Sequence, residues 1–273
     1  LQTLVFHGAT PEILYDAHPH IGTDRLPRII SNICRTIVTA GGEIHFGAKV
    51  TGFKIEGGRI RGVWVGDTLI EGAAVVLATG HSAKDVYYTL HRDGVRLEAK
   101  PFAMGVRIEH PQQLIDSIQY HSPHRDEYLP AASYSLVEQI DGRGVYSFCM
   151  CPGGFIVPAM TDAAQSVVNG MSPSGRNSRW ANSGLVTEIR PDYAFLAQEY
   201  GPLAGLVFQQ RLEEAARRNG GARQVAPAQR VTDFVAGRNS SSLPSTSYIP
   251  GLTPSRLDEW MPAMIASSLR KGI

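Results

Sequence analysis

The sequence predicts a mixed fold, in which an α/β portion with a β-meander is followed by a mostly antiparallel, α+β portion with peripheral helices. Three observations lead to this prediction. An amphipathic pattern at residues 25–42 precedes several short strands, and the apolar run at residues 72–80 ends in small residues. Beyond about residue 100, short apolar runs are separated by Gly, Pro, Asn and Asp. The first two patterns are typical of α/β folds and the third of antiparallel sheets.

The helix at residues 25–42 is predicted from the spacing of its apolar side chains. These are Leu26, Ile29, Ile30, Ile33 and Ile37. The spacing places them on one helical face. Thr23 or Asp24 can cap the start of this helix, and Gly41 with Gly42 ends it.

A strand at residues 43–46 and a three-stranded meander follow this helix. The meander strands are predicted at residues 49–55, 59–66 and 68–71, separated by glycine-containing turns. The chain then returns through the apolar strand at residues 72–80.

That returning strand stops at Ala78, Thr79 and Gly80. Gly80 has no Cβ, so another molecule, such as a dinucleotide, can approach the backbone closely at this point. The same three residue types also end apolar strands of ordinary parallel sheets, and both interpretations stay open.

The remaining chain predicts an antiparallel sheet with helices around it. Strands are expected at residues 102–110, 133–139, 145–151, 155–159, 166–169 and 184–190. Helices are expected at residues 111–118, 202–219 and 257–269, the last interrupted near its start by Pro262.

Composition excludes several classes of function. The chain has 273 residues, 43% of them hydrophobic, and a formal net charge of +1, so it carries no electrostatic footprint for nucleic acid or an anionic membrane surface. No apolar run approaches the roughly 20 residues that span a bilayer. We therefore expect a cytoplasmic protein whose partner is a small molecule, with its oligomeric state left open.

Three cysteines are too few for a disulfide framework. Cys34 falls on the apolar side of the first helix and is interpreted as a packing residue. Cys149 and Cys151 are two apart in a predicted strand, so both thiols are expected on the same face, just before Gly153 and Gly154. Two hypotheses follow for this pair: direct redox chemistry, or a packed, pocket-lining role. No cationic residue that would activate a thiol is visible nearby in the sequence.

Histidine pairs occur at His18 with His20 and at His121 with His124, but no third and fourth ligands stand at zinc-like spacing, so no metal is expected. The loop at residues 19–24 enters the first helix, where backbone N–H groups can bind an anionic ligand. Helix capping is the competing interpretation of the same loop. GxSxG and GxxxxGK[ST] motifs are absent, which excludes the hydrolases and triphosphatases that depend on them.

Several long strings carry a family resemblance. They are PHIGTDRLPRII at residues 19–30, PFAMGVRIEHPQQLID at 101–116, CMCPGGFIVPA at 149–159, VVNGMS at 167–172, ANSGLV at 181–186, RVTDFVAGRNSS at 230–241 and SYIPG at 247–251. In this order they resemble the mostly uncharacterised bacterial FAD-dependent, or NAD(FAD)-utilising, dehydrogenases. These are two-dinucleotide-fold flavoproteins of the glutathione-reductase type.

The resemblance implies a partial FAD-binding, Rossmann-like domain at residues 1–100 and an inserted substrate-side domain at residues 101–273. It implies FAD contacts from the backbone of Lys49 and Val50 and from Ala78, Thr79 and Gly80. The loop that contains His20, Gly22, Thr23 and Asp24 would lie on the flavin side. Gly153, Gly154, Asn182 and Ser183 would line the substrate side.

The implied activity is hydride transfer between FAD and a small molecule, with NADH or NADPH as a candidate second cofactor. No general acid or base is identified, so Cys149 and Cys151 remain the only catalytic candidates. No GxGxxG occurs and the chain does not begin with Met, so the resemblance predicts an internal fragment without its pyrophosphate-binding turn. Two alternatives stay open: a flavin-containing scaffold or sensor without turnover, and a cofactor-free ligand-binding module.

Overall fold

The computed structural model describes residues 1–191 and 194–273. The helices are α1 (Gln2–Phe6), α2 (Leu26–Thr39), α3 (Lys84–Arg92), α4 (Gln112–Tyr120), α5 (Ala194–Tyr200), α6 (Ala204–Gly220), α7 (Val231–Ala236), α8 (Leu257–Trp260) and α9 (Ala263–Gly272), with 3₁₀ turns at Pro11–Leu14 and Gly201–Leu203. The strands are β1 (Val50–Glu56), β2 (Arg59–Val65), β3 (Thr68–Glu71), β4 (Phe102–Pro111), β5 (Val137–Ile140), β6 (Arg143–Cys151), β7 (Phe155–Pro158), β8 (Val168–Met171), β9 (Trp180–Ile189), β10 (Ala226–Ala228) and β11 (Leu252–Pro254).

The chain divides into two compact units. Unit 1 contains Leu1–Ala40, Phe102–Ile189 and Gln210–Ile273, and unit 2 contains Gly41–Pro101 and Arg190–Gln209. The division of the chain at residue 100 into an FAD-binding and a substrate-side domain stays a prediction.

Unit 1 is organised by a four-stranded antiparallel sheet in the order β4-β9-β6-β5. Side chains alternate between the two faces of a sheet. One face carries Leu185, Thr187 and Ile189, which are buried. Helices α4 and α9 pack against the strands of this sheet, and α9 contributes the fully buried Ile265 and Leu269. The opposite face carries Arg107 and the groups described below.

The carboxylate of Asp258 holds the carboxyl-terminal helices together. It accepts hydrogen bonds from Arg256 Nη2 at 2.7 Å and from Arg270 Nη2 at 2.8 Å. Arg270 Nε also donates to the carbonyl of Phe234 in α7. The Asp258 carboxylate therefore links α8 to α9, and Arg270 links α9 to α7.

Unit 2 is built on the antiparallel meander β1-β2-β3. Asp93, just beyond α3, accepts a hydrogen bond from the backbone N–H of Phe53 at 2.9 Å, and Arg92 Nη2 donates to the carbonyl of Thr51. These bonds attach α3 to strand β1. A small apolar cluster of Leu196, Ala204 and Val207 forms in the helical part of the unit.

Much of the predicted secondary structure is confirmed. The first helix, the three meander strands, the helix after β4, the antiparallel sheet and the break at Pro262 are all present. Strand β9 begins at Trp180 rather than at residue 184.

Two strand predictions are wrong. Residues 43–46 and 72–80 are not strands, although their composition favours that conformation. A strand requires a neighbour with which to exchange backbone hydrogen bonds. Among the described residues no strand pairs with either segment, and Val76 is 88% exposed.

The predicted cap of the first helix is also wrong. Arg25 occupies the N-cap position without a side-chain cap, and Pro27 lies in the first turn. Asp24 instead binds Ser174, as described below, so its carboxylate is not available to the helix.

No helix among residues 1–191 and 194–273 is long and apolar enough to cross a membrane. Over the same residues, no group of three or more His, Cys, Asp and Glu side chains is placed to hold a metal ion.

We predict that Asp258→Asn destabilises the protein at pH 7. Hydrogen bonds from Arg256, followed by those from Arg270, hold the pKa of Asp258 far below its usual range. The carboxylate therefore contributes stability above the unfolded-state pKa of about 4, and this contribution is lost as the pH falls further. Urea denaturation at pH 7 and pH 3 should show a difference between wild type and variant that shrinks in acid.

Glu259→Gln is the matched control, since Glu259 lies in the same helix with a side chain that is 66% exposed. It should change the free energy of unfolding little at either pH. A deficit for Asp258→Asn that is equal at both pH values would contradict the electrostatic assignment.

Candidate functional site

Strand β6 contains a bulge at the cysteine pair. Phe148 pairs with Gly184 and Cys151 pairs with Asn182, so three residue steps on β6 oppose two steps on β9. The extra residue defines a β-bulge, which bends the strand and redirects its side chains. Cys149 lies within it and has a positive φ of 51°.

The bulge separates the two thiols. Cys149 is exposed and Cys151 is only 5% exposed. The prediction that both point to the same face of a regular strand is therefore wrong. The physical reason is that the extra residue breaks the two-residue alternation on which that prediction depends.

Arg107 lies beside the bulge on strand β4. Its Nε donates to Asn182 Oδ1 at 2.8 Å, and its Nη2 donates to the Cys149 carbonyl at 2.8 Å and to Cys151 Sγ at 3.3 Å. Its Nη1 makes only a long contact of 3.5 Å with Asn169 Oδ1. The guanidinium thus joins strands β4, β9 and β6 and the neighbouring strand β8 through one group.

The thiol of Cys151 is protonated at neutral pH. Burial, assisted by Cys149, raises its pKa to about 11, although Arg107 acts in the opposite direction. In this state Sγ donates weakly to the Cys149 carbonyl at 3.4 Å. Since the thiolate is the reactive form of cysteine, this geometry supports a packing role for Cys151 more than a redox role.

Gly170 permits strand β8 to lie directly against the guanidinium. A Cβ at this position would lie 1.9 Å from Arg107 Nη2 and 2.2 Å from Asn182 Oδ1. Any side chain here would therefore displace Arg107 from its partners. This contact explains the glycine in the VVNGMS string.

The loop at residues 19–24 binds a second loop of unit 1. His20 Nε2 lies 3.0 Å from the Pro173 carbonyl, and Thr23 N–H donates to Ser172 at 3.1 Å. The Asp24 carboxylate accepts two bonds of 2.7 Å from the N–H and the hydroxyl of Ser174, which lower its pKa. These polar groups are thus engaged by protein atoms, and their assignment to the cofactor stays a prediction.

Gly22 makes this contact possible. Its φ is +98°, and a Cβ would lie 2.3 Å from the backbone nitrogen of Ser174. A residue with a side chain would therefore meet both backbone strain and a backbone clash.

The turn at Gly153 and Gly154 is fixed from three sides. Gln112 Oε1 accepts from the Gly153 N–H at 2.7 Å, and the Gly154 N–H donates to the Trp180 carbonyl at 2.9 Å. A Cβ at Gly153 would lie 1.8 Å from the carbonyl oxygen of Arg176.

Ser172, which accepts a hydrogen bond from the loop at residues 19–24, donates to the Pro152 carbonyl. The structure thereby brings the predicted flavin-side loop and the predicted substrate-side turn together in unit 1.

Asn182 and Ser183 lie on opposite faces of strand β9, and both are fully buried. Asn182 contacts Arg107, and its Nδ2 has no hydrogen-bond partner among the described residues. Ser183 donates to the carbonyl of Gly184 on the packed side of the sheet. Of this predicted pair, only Asn182 belongs to the group that we call the Arg107 cluster, which consists of Arg107, Cys149, Cys151, Asn169, Arg176 and Asn182.

The remaining predicted cofactor residues lie in unit 2. Lys49 Nζ forms an ion pair with Asp85 at 2.7 Å, and Val50 pairs with Val65 in the meander. Ala78, Thr79 and Gly80 are exposed.

Sequence reasoning missed Arg107, Gln112 and Arg176. Arg107 and Gln112 fall within the quoted string PFAMGVRIEHPQQLID, where a lone cation amid apolar strand residues is the available signal. The sequence places no cation next to the cysteines, whereas the sheet supplies one from β4.

The fold and the site together describe unit 1 as an α+β domain. Its antiparallel sheet contains the bulged strand with the two cysteines and a partly buried arginine. Residues 101–273 match the family model described as FAD-dependent protein, C-terminal domain-like, and the chain belongs to that family. The predicted membership of an FAD-dependent family is thereby confirmed, while the glutathione-reductase-type architecture and the fragment interpretation stay predictions.

The chain is also similar to an uncharacterised protein of Clostridium beijerinckii. The two are 40% identical over 277 residues, an alignment that covers 100% of this chain and 51% of the relative. The chain therefore spans about half the length of that curated relative.

We predict that Gly22→Ala lowers the free energy of unfolding by about 3 kcal/mol or more, because strain and a backbone clash combine. Gly251→Ala is the matched control, with a similar φ of +95° and nothing within 4 Å of the added Cβ. It should cost only about 1–2 kcal/mol of strain. Equal losses in urea denaturation would show that the contact with Ser174 is not important.

We predict that Cys149 is alkylated at least about tenfold faster than Cys151 at pH 8, because Cys149 is exposed and Cys151 is buried with a raised pKa. The labelled residues are to be identified by peptide mass spectrometry in a Cys34→Ser background. Cys151 should become reactive only as the pH approaches its pKa of about 11. Denatured protein, in which both cysteines should react alike, is the control, and equal rates in the folded protein would refute the assignment.

Proposed function

We propose that the whole protein is an FAD-dependent oxidoreductase that transfers a hydride between FAD and a small molecule, with NADH or NADPH as a second partner. The observation that carries the proposal is the family match over residues 101–273. Because the chain covers half of its relative, the proposal concerns the intact protein.

The exposed segment at residues 72–80 fits the approach of a dinucleotide. Val76 is 88% and Leu77 49% exposed, and among the described residues this segment pairs with no strand. Gly80 has a φ of +75°, and a Cβ there would meet no atom within 4 Å. Backbone at Ala78, Thr79 and Gly80 would contact the FAD, with further contacts from the backbone at Lys49 and Val50. No residues of this chain are assigned to the pyrophosphate.

Unit 1 supplies the substrate side in this proposal. When bound, FAD supplies the ring system that accepts or donates the hydride. Arg107 supplies a fixed positive charge whose position is set by Asn182 and by the Cys149 carbonyl. Gly153 and Gly154 fix the turn that follows. The protonated Cys151 maintains the packing around Arg107.

The test is the visible absorption spectrum of the natural full-length protein, followed by anaerobic addition of NADH and, separately, NADPH. We expect a flavin spectrum that bleaches with at least one donor. A protein that remains colourless when supplied with FAD would overturn the proposal in favour of a cofactor-free ligand-binding module. Bound flavin that no donor reduces would instead favour a scaffold or sensor.

Two glycine variants test the assigned cofactor contact. Gly80→Ala should weaken FAD binding about tenfold or more if the dinucleotide lies against this backbone. Gly66→Ala is the control, because Gly66 also has a positive φ of 58° and nothing within 4 Å of the added Cβ. An equal effect of both variants on the FAD dissociation constant would remove residues 78–80 from the site.

A further inference from the structure

The Arg107 cluster contains positive charge that no acidic side chain balances. Arg107 and Arg176 both interact electrostatically with Cys151. Among the described residues, neither guanidinium forms an ion pair with an Asp or Glu. Glu109, on the same face of β4, is held by the backbone N–H of Ser247 at 3.1 Å and by its hydroxyl. Partly buried charge without a counter-ion is costly.

The groups left unsatisfied here are all donors. Arg176 Nε and Asn182 Nδ2 are buried, and neither has a hydrogen-bond partner among the described residues. Arg107 Nη1 makes only its long contact with Asn169. Buried polar groups in native proteins are nearly always paired. Unpaired hydrogen-bond donors beside two cations favour the binding of an anion that accepts hydrogen bonds.

Cys151 does not supply that anion. Burial raises the pKa of its thiol to about 11, so it is neutral at physiological pH. The positive charge of the two guanidinium groups is therefore available to an external ligand.

An exposed apolar side chain lies in the same row of the sheet as Arg107. Phe148 pairs with Gly184, and Gly184 pairs with Arg107, so the three lie in one row across β6, β9 and β4. Phe148 is 62% exposed, whereas Gly184 in the middle of the row is buried. An apolar body in contact with Phe148 would extend its charged end toward the guanidinium.

We propose that Arg107 and Arg176 bind the carboxylate of a small-molecule substrate whose remaining body is apolar and contacts Phe148. This inference rests on the proposed function, because it names the substrate class of the same site. The fork of an arginine matches a planar carboxylate with two parallel hydrogen bonds, as it also matches a phosphate. One edge of Arg107 is already occupied by protein acceptors, which favours a monoanion over phosphate.

The test uses benzoate as the probe in the natural full-length protein, with acetate and inorganic phosphate as comparisons. Isothermal titration should show saturable one-to-one binding of benzoate, with acetate and phosphate at least about tenfold weaker. Absence of saturable benzoate binding to folded protein would overturn the proposal. Tighter binding of phosphate would overturn the carboxylate assignment.

Variants locate the binding residues. Arg107→Gln and Arg176→Gln should each weaken benzoate binding about tenfold or more, the usual effect of losing a hydrogen bond to a charged group. Arg28→Gln, at an exposed position of α2, is the control and should have no effect. Unchanged binding by both site variants would refute the assignment.

A measurement on the wild type does not depend on whether the variants fold. Benzoate should slow alkylation of the exposed Cys149, whose carbonyl bonds to Arg107, without slowing that of Cys34. Equal rates with and without saturating benzoate would count against the site. The flavin spectrum is measured independently of benzoate titration and of cysteine alkylation. Benzoate binding by a protein that holds no flavin would refute only the proposed function. A flavin spectrum without benzoate binding would refute only this inference.

Discussion

The hydrogen bonds of the Arg107 guanidinium are the interaction on which the arrangement of unit 1 depends. A single planar group bonds to a side chain on β9 and to backbone and sulfur on β6. The bulge turns the Cys149 carbonyl to a position where Arg107 can reach it, and Gly170 leaves room for the guanidinium. Because charge-assisted bonds are among the stronger ones in proteins, this group couples the geometry of three strands.

Close backbone contacts extend that order to the neighbouring loops. Gly22 contacts Ser174 and Gly153 contacts Arg176, in each case at a distance that only glycine allows. The segment at residues 172–176 is therefore held from two sides, by the loop before α2 and by the turn after β6. Arg176 itself lies on this segment. The position of the second guanidinium thus depends on the same glycine contacts.

Local patterns were sufficient to predict α2, the meander and most strands of unit 1, because their periodicity and turns are encoded within a few residues. Prediction was wrong at residues 72–80, where an apolar run is a necessary but not a sufficient condition for a strand. It was also wrong for the orientation of Cys149 and Cys151. A bulge forms where one strand has one residue more than the partner strand opposite it. The partner β9 lies about 30 residues beyond β6 in the sequence, so the local pattern of β6 does not reveal the bulge.

The sequence by itself determined the composition class, the α+β character and, through its long strings, membership of an FAD-dependent family. It also marked Gly153, Gly154 and Asn182 as residues of interest. Only the tertiary structure decided that Arg107 meets Cys151, that Asp24 binds Ser174 rather than capping α2, and that two arginines remain without a carboxylate partner among the described residues. These contacts join segments far apart in the chain, and strand register and loop packing, rather than local preference, determine which side chains meet.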